Sequence, residues 1–125
     1  MLILRKPPVD YHLCNQPVTV YHARKDSRGQ ISGVDANTYR GFLDYKKVRN
    51  VEKTGSSEAT SFLLVIPGDH QMVFPGDKVL LGEGYTITPE QWKDLIPTRV
   101  PGLCVVKYAD VKYWNGQPVH TEAGG

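Results

Sequence analysis

The stretch Ser61–Gly84, SFLLVIPGDHQMVFPGDKVLLGEG, constrains the fold more than any other part of the chain. Phe62 to Ile66 is an unbroken apolar run, too short for a helix, and Pro67-Gly68-Asp69 stops it. Such a run between turn signals predicts a strand buried on both faces. After a second short strand, Pro75-Gly76-Asp77 repeats the stop and Val79, Leu80 and Leu81 resume the apolar pattern. These are core strands of a β-rich domain, and they contain no recognisable chemistry.

At 125 residues the chain fits one domain of ordinary size and can bury a core without a disulfide or structural metal. The formal net charge of +2 is too balanced to require nucleic acid or an anionic membrane as partner. Cys14 and Cys104 are far apart and lack paired spacing, so both read as free thiols in a reducing compartment. The N-terminal MLILRKPP has too short an apolar run for a secretory signal or a membrane span.

Residues 1–16 read as an extended arm, because Pro7-Pro8 opposes helix. It is either a frayed terminus or an extension that docks on a neighbouring subunit. Val18–Arg24 alternates as a strand, with Val18, Val20 and His22 against Thr19, Tyr21 and Ala23. Residues 25–37 suggest a long polar loop or a loose hairpin. Thr38–Val48 is the next strand, with Tyr39, Leu43 and Tyr45 on one face; Gly41 within it suggests a bulge or a close backbone approach. Glu52–Thr60 reads as a second flexible linker.

Gly82-Glu83-Gly84 marks a tight passage with positive φ, and it lacks the lysine and hydroxyl of a phosphate-binding loop. Thr88–Leu95 predicts the one α-helix, with Thr88 as N-cap, Pro89 at its first position, Gln91 completing a capping box, and Trp92 and Leu95 facing the sheet. Leu103–Trp114 predicts the longest strand. Asn115-Gly116 predicts a type I′ hairpin pairing Trp114 with Gln117 and Lys112 with Val119, and Pro118 makes the returning strand an edge. Residues 122–125 read as a flexible tail. The resulting fold class is mainly β: a small, partly open barrel or sandwich spanning residues 17–121, with one short α-helix and long polar loops.

Chemistry is sparse. Of His12, His22, His70 and His120, only His12 lies near a cysteine, Cys14, and this pair has no further ligand at zinc spacing. Cys104 sits in an apolar strand and reads as an inert core thiol rather than a nucleophile served by His70 or His120. Asp69 next to His70 reads as a turn-stabilising carboxylate. No catalytic, cofactor-binding or metal-binding residue is assigned; a metal or thiol enzyme using His12, Cys14 or Cys104 is the third-ranked alternative. Basic residues gather at Arg24, Lys25 and Arg28 and at Lys46, Lys47, Arg49 and Lys53. With Tyr21, Tyr39 and Tyr45 they could form a surface for single-stranded nucleic acid. Interleaved Asp26, Asp44 and Glu52 favour a plain solvated face instead.

The order Val18-Thr19-Val20-Tyr21, Tyr39-Arg40-Gly41-Phe42-Leu43, Val65-Ile66-Pro67, Pro75-Gly76-Asp77-Lys78-Val79 and Gly82, closing on Val111-Lys112-Tyr113-Trp114 and the His120–Gly125 tail, resembles a known family. It is similar to the small minor capsid or head–tail joining proteins of tailed phages and prophages of Gram-positive bacteria. The resemblance implies a non-enzymatic virion subunit, made in the host cytoplasm, that forms a ring between portal and tail. Its partners would be copies of itself, portal or adaptor proteins and tail proteins. DNA would only pass through the channel, and neither membrane nor cofactor would be involved. Leu2, Ile3 and Leu4 on the arm, with Pro118 and Val119, then become candidate inter-subunit contacts. Arg28, Lys46, Lys47 and Lys53 become candidate loop contacts.

Overall fold

The computed structural model describes residues 11–52 and 55–125, with side chains described for 11–45 and 61–125. Among the described residues, seven strands form one antiparallel sheet. They are β1 (Gln16–Lys25), β2 (Ile31–Glu52), β3 (Gly55–Pro67), β4 (Lys78–Leu81), β5 (Cys104–Val105), β6 (Tyr108–Trp114) and β7 (Gln117–Gly124). Their spatial order is β5-β4-β1-β2-β3-β7-β6. The strands at the two ends of that order are separated in sequence by only Val106 and Lys107. Val106 donates its N–H back to Asp77 beside β4, at 2.8 Å, while Lys107 donates to Gly124 at the end of β7, also at 2.8 Å. The sheet therefore curls until its edges approach, and the seam at Val106–Lys107 leaves it not closed.

The long β2 is the spine of this roll. Its first half pairs with β1, from Lys25↔Ile31 to Gln16↔Gly41, and its second half pairs with β3, from Phe42↔Val65 onward. The changeover falls at Gly41, where a Cβ would stand 2.9 Å from the Val65 carbonyl oxygen, so the close backbone approach expected there is present.

Alternation sorts the side chains into two cores. Inside the roll lie Val18, Val20, Leu43, Phe62, Leu64, Ile66, Val79 and Cys104, with Tyr39 and Tyr45 packed against them. Outside, Tyr21, Ile87, Leu95 and Leu103 form a second cluster beneath Trp92 and Val100. The chain between β4 and β5 thus clamps the outer face of β1. Thr19 fixes its start, donating to the Gly82 carbonyl and accepting from the Gly84 N–H, both at 2.7 Å. Gly82 has the positive φ expected of it, 100°.

Several sequence expectations need correction. The segment from Thr88 is not an α-helix but a 3-10 helix, Pro89–Asp94, closed by Leu95 N–H to the Trp92 carbonyl. Only eight residues lie between the Thr88 cap and the stop at Pro97, and six of them form the helix, a length short enough for the tighter i to i+3 bond. The capping box expected from Thr88 and Gln91 is present, with Gln91 Oε1 accepting the Thr88 N–H at 2.9 Å and the Thr88 side chain facing the Gln91 N–H. Trp92 and Leu95 do face the sheet together.

Of the long loop and the hairpin expected over 25–37, the hairpin is present: β1 and β2 pair up to Lys25↔Ile31 and leave only the turn Asp26–Gln30, in which Asp26 Oδ1 accepts the N–H groups of Arg28 and Gln30. The linker expected over 52–60 is largely strand. No strand forms between Gly68 and Asp77. The run Phe62–Ile66 is fully buried only at alternate positions; Leu63 and Val65, on the outer face, are half-buried.

The Asn115-Gly116 hairpin is present, with φ of 51° and 75° and Trp114 paired with Gln117. A bulge then shifts Lys112 onto His120 rather than Val119. β7 is not an edge strand, since it lies between β3 and β6, but its ladder with β3 ends at His120, so Pro118 stands past that ladder, where its missing N–H breaks no bond to β3. The expected tail at 122–125 is largely strand as well: Ala123 is fully buried and pairs with Leu64 on one side and Ala109 on the other. On the arm, residues 1–10 lie outside the described residues. Tyr11–Leu13 form a 3-10 turn, and the Tyr11 hydroxyl meets His120 Nδ1 at 2.7 Å.

Candidate functional site

Two features of the roll are candidates for function. The first is a two-stranded ribbon. β1 ends its pairing with β2 at Gly41 and β7 ends its pairing with β3 at Leu63. Beyond them β2 and β3 pair only with each other, from Lys46↔Ser61 to Glu52↔Gly55. Seven paired positions extend this ribbon by roughly 23 Å at the usual rise per residue. Both of its outer edges carry main-chain donors and acceptors with no further strand beside them among the described residues.

The second is a cleft of about 760 Å³ at the opposite end of β1, lined by His22, Ala23, Arg24, Lys25, Ser32, Pro75, Gly76, Asp77 and Trp92. Its floor is built by the turn Phe74–Asp77. Pro75 supplies a fixed φ, Gly76 takes φ of 90°, and Asp77 N–H donates to the Phe74 carbonyl, the pattern of a type II turn. Asp77 Oδ2 accepts the Phe74 N–H at 2.9 Å, and its Oδ1 meets His22 Nδ1 at 2.6 Å. The Asp77 side chain is only 3% exposed. Burial raises its pKa above the ordinary value, partly offset by the bonds to His22 and Phe74. The Phe74 ring leans on the His22 ring with centroids 5.4 Å apart.

Trp92 makes the outer wall. Lys78 holds it twice, donating Nζ–H to its carbonyl at 2.7 Å and placing the ammonium 4.1 Å from the ring centroid. Desolvation lowers the pKa of this lysine. On the rim, Arg24 pairs with Asp35 at 3.2 Å, and Ser32 Oγ donates to the Arg24 carbonyl.

This cleft was not singled out in the sequence. His22 and Asp77 are 55 residues apart, and the one available signal was an Asp directly after a Pro-Gly turn. In chemical terms the pair fixes an imidazole by a buried carboxylate. Ser32, the one hydroxyl in the lining, is committed to a main-chain carbonyl, so the geometry is that of a pinned turn and a binding wall. No group of three or more His, Cys, Asp or Glu able to hold a metal occurs among the described residues.

The residues expected from the sequence fall as follows. Leu2, Ile3, Leu4 and Lys53 lie outside the described residues. Pro118 and Val119 are half-buried at the start of β7, an internal strand overall, just past the end of its ladder with β3 at His120. Arg28 is in the Asp26–Gln30 turn at one end of β2, whereas Lys46 and Lys47 occupy strand positions in the ribbon at the other. The two basic groups are therefore not one surface. The tyrosines are not a stacking platform either. Tyr21 is 1% exposed and donates its hydroxyl to the Tyr85 carbonyl, and Tyr45 donates to the Gly102 carbonyl.

Cys104 is a buried free thiol whose pKa burial pushes up to about 11. Cys14, also free, points its thiol at the Val65 carbonyl. Asp69 and His70 form an exposed pair at 2.8 Å, the bond to His70 holding the carboxyl below its ordinary value. No helix among the described residues is long and apolar enough to cross a membrane.

Comparison with known proteins returned no match of the chain to a family model, to a curated protein or to a solved structure.

Proposed function

We propose that this chain is a non-enzymatic structural subunit of a tailed-phage or prophage particle, a ring-forming head–tail connector or minor capsid protein. It would be made in the host cytoplasm and built into the virion. The observation that carries the reading is the β2–β3 ribbon, which leaves the body of the sheet as two strands with open edges. A lone two-stranded hairpin is marginal in water, and exposed strand edges invite pairing with another chain. Natural monomers suppress such features, so a ribbon of this length suits a subunit whose neighbours cover it. A head-to-tail contact of that kind, repeated around an axis, closes into a ring. The resemblance noted along residues 17–124 supports the same class of protein, with portal, adaptor and tail proteins as the further partners. In this reading DNA passes through the channel without being gripped, and neither cofactor nor catalysis is involved.

The test is assembly. Purified protein, alone and mixed with a portal ring from a siphophage of Gram-positive bacteria, is examined by mass photometry and negative-stain microscopy. Rings, or decoration of the portal, are expected. A monomer at all concentrations that leaves portal and tail components bare would overturn the reading. A salt-sensitive shift of single-stranded DNA in place of assembly would do the same and favour a nucleic-acid-binding role.

A further inference from the structure

The strand pairing leaves one part of β1 half-partnered. On one side β1 pairs with β2 over its whole length, Gln16 to Lys25. On the other it pairs with β4 only from Val18 to Tyr21, because the Phe74–Asp77 turn carries the chain away before β4 begins.

The direction of the main-chain groups beyond Tyr21 follows from bonds at hand. Successive residues of a strand turn their N–H and C=O to alternate sides. The Pro17 carbonyl accepts from Gly82, past the end of β4, so the odd-numbered residues of β1 face the β4 side. The Arg24 carbonyl accepts from the Ser32 hydroxyl of β2, and past the register shift between Arg24 and Lys25 the Asp26 N–H donates to the Gln30 carbonyl at 2.8 Å, so the even-numbered residues face β2. Ala23 and Lys25 therefore present their N–H and C=O groups to the side where no described strand of this chain lies. That side is the cleft.

We infer that this cleft accepts an extended, acidic peptide segment of a partner protein, added as a strand along Ala23–Lys25 in line with β4. Four observations support the assignment. Main-chain donors and acceptors at a sheet edge supply the affinity of strand addition. A volume of about 760 Å³ lies within the range of sites that enclose small ligands, ~300–1,000 Å³. Walls are already in place: Trp92 is pinned by Lys78, and the Pro75-Gly76 turn is pinned by Asp77. A guest strand thus meets a preformed slot rather than a bare edge.

Charge selects the guest. The carboxylate in the lining, Asp77, is buried against His22, whereas Arg24 and Lys25 stand exposed at the rim. Arg24 shares its charge with Asp35, and Lys25 makes no ion pair among the described residues. A segment that places a carboxylate beside Lys25 and a flat or branched side chain against Trp92 satisfies both. This inference goes beyond the particle reading and does not depend on it.

The experiment is a titration of the ¹⁵N-labelled full chain, followed by amide and indole chemical shifts. The probes are the blocked peptide acetyl-TEVEVT-amide, its lysine counterpart acetyl-TKVKVT-amide, and the acidic peptide N-methylated at alternate residues. The acidic peptide should shift the amides of Ala23 and Lys25 and the indole of Trp92 saturably. It should bind at least about tenfold more tightly than the lysine peptide, and N-methylation should abolish the effect. The exposed substitution Lys25→Glu should reverse the preference while leaving the rest of the spectrum in place.

Lack of saturable shifts, shifts confined to other strands, or equal binding of the lysine peptide would overturn the proposal. So would concentration-dependent shifts of the same amides without peptide, which would make the occupant a second copy of the chain.

Discussion

Asp77 Oδ1 and His22 Nδ1 meet at 2.6 Å across 55 residues of sequence. This contact fastens the turn that precedes β4 to the strand it then pairs with. Asp77 serves both sides of the junction, since its other oxygen holds the Phe74 N–H within the turn. A buried carboxylate that satisfies two donors costs most when removed with its donors left behind.

Asp77→Ala should lower stability by about 2–3 kcal/mol, because the Phe74 N–H and the imidazole lose their acceptor. Asp77→Asn keeps the shape and should cost less. The pH dependence has a definite sign. The folded-state pKa of Asp77 is raised above its ordinary 3.8, chiefly by burial. Over the window between those values the native state binds more protons than the unfolded chain. The group's contribution is therefore complete below 3.8 and falls as the pH rises through the folded value. Urea midpoints of wild type and Asp77→Asn, measured from acid to neutral pH, should show the wild-type advantage shrinking upward across that window.

Gly41 and Gly116 should fail for different reasons when replaced by alanine. At Gly41 a Cβ would press on the Val65 carbonyl oxygen at 2.9 Å, backbone against backbone where β2 changes partner. Overpacking of that kind costs about 1–3 kcal/mol. Gly116 has open space around it but a φ of 75°, so Gly116→Ala should cost about 1 kcal/mol of conformational strain. Gly116→Asn should recover part of that loss, whereas Gly41→Asn should not. Chemical denaturation of the four variants separates the two mechanisms.

The hairpin containing Gly116 was legible because Asn-Gly is a local requirement: both residues need positive φ, and no distant contact is involved. Val18–Arg24 was legible for a similar reason, as β-branched and aromatic residues gather there, and the strand extends only to Gln16 and Lys25 beyond it. Non-local information was hidden. Pro118 suggested an edge because proline cannot donate, yet β7 is internal from His120 onward and only its first residues lie past the ladder with β3. Residues 55–60 continue β3 as a strand paired with β2, but polarity without alternation looks like a linker. Thr88 and Gln91 marked a helix start correctly, but the helix type depended on how few residues remained before Pro97. The site at His22 was least legible, since it needs β1, the 74–77 turn and Trp92 brought to one place.

The two thiols should differ sharply in reactivity. Cys104 is 3% exposed with a pKa near 11, so at pH 8 almost none of it is thiolate. Cys14 is partly exposed, and burial raises its pKa as well. Ellman's reagent on the native protein at pH 8 should titrate Cys14 slowly and leave Cys104 unmodified, while both should react at once in 6 M guanidinium. Fast native labelling of Cys104 would mean that the seam at Val106–Lys107 opens readily.

The ribbon offers the most direct link between fold and proposed role. Its strand positions, from Lys46↔Ser61 to Glu52↔Gly55, pair only with each other, whereas the pairs from Phe42↔Val65 to Tyr45↔Phe62 belong to the roll and its core. Replacing residues 47–59 by a two-residue Asn-Gly turn should therefore leave the body folded, with circular dichroism and cooperative urea unfolding close to wild type. The same deletion should abolish ring formation or portal binding. Hydrogen exchange offers a complementary reading. Amides on the outer edges of the ribbon should exchange quickly in the isolated subunit and become protected by at least about tenfold on assembly, while amides of β1 and β7 should change little. A truncated protein that still assembles would place the subunit contact elsewhere on the roll, and a truncated protein that unfolds would show that the ribbon contributes to the body after all.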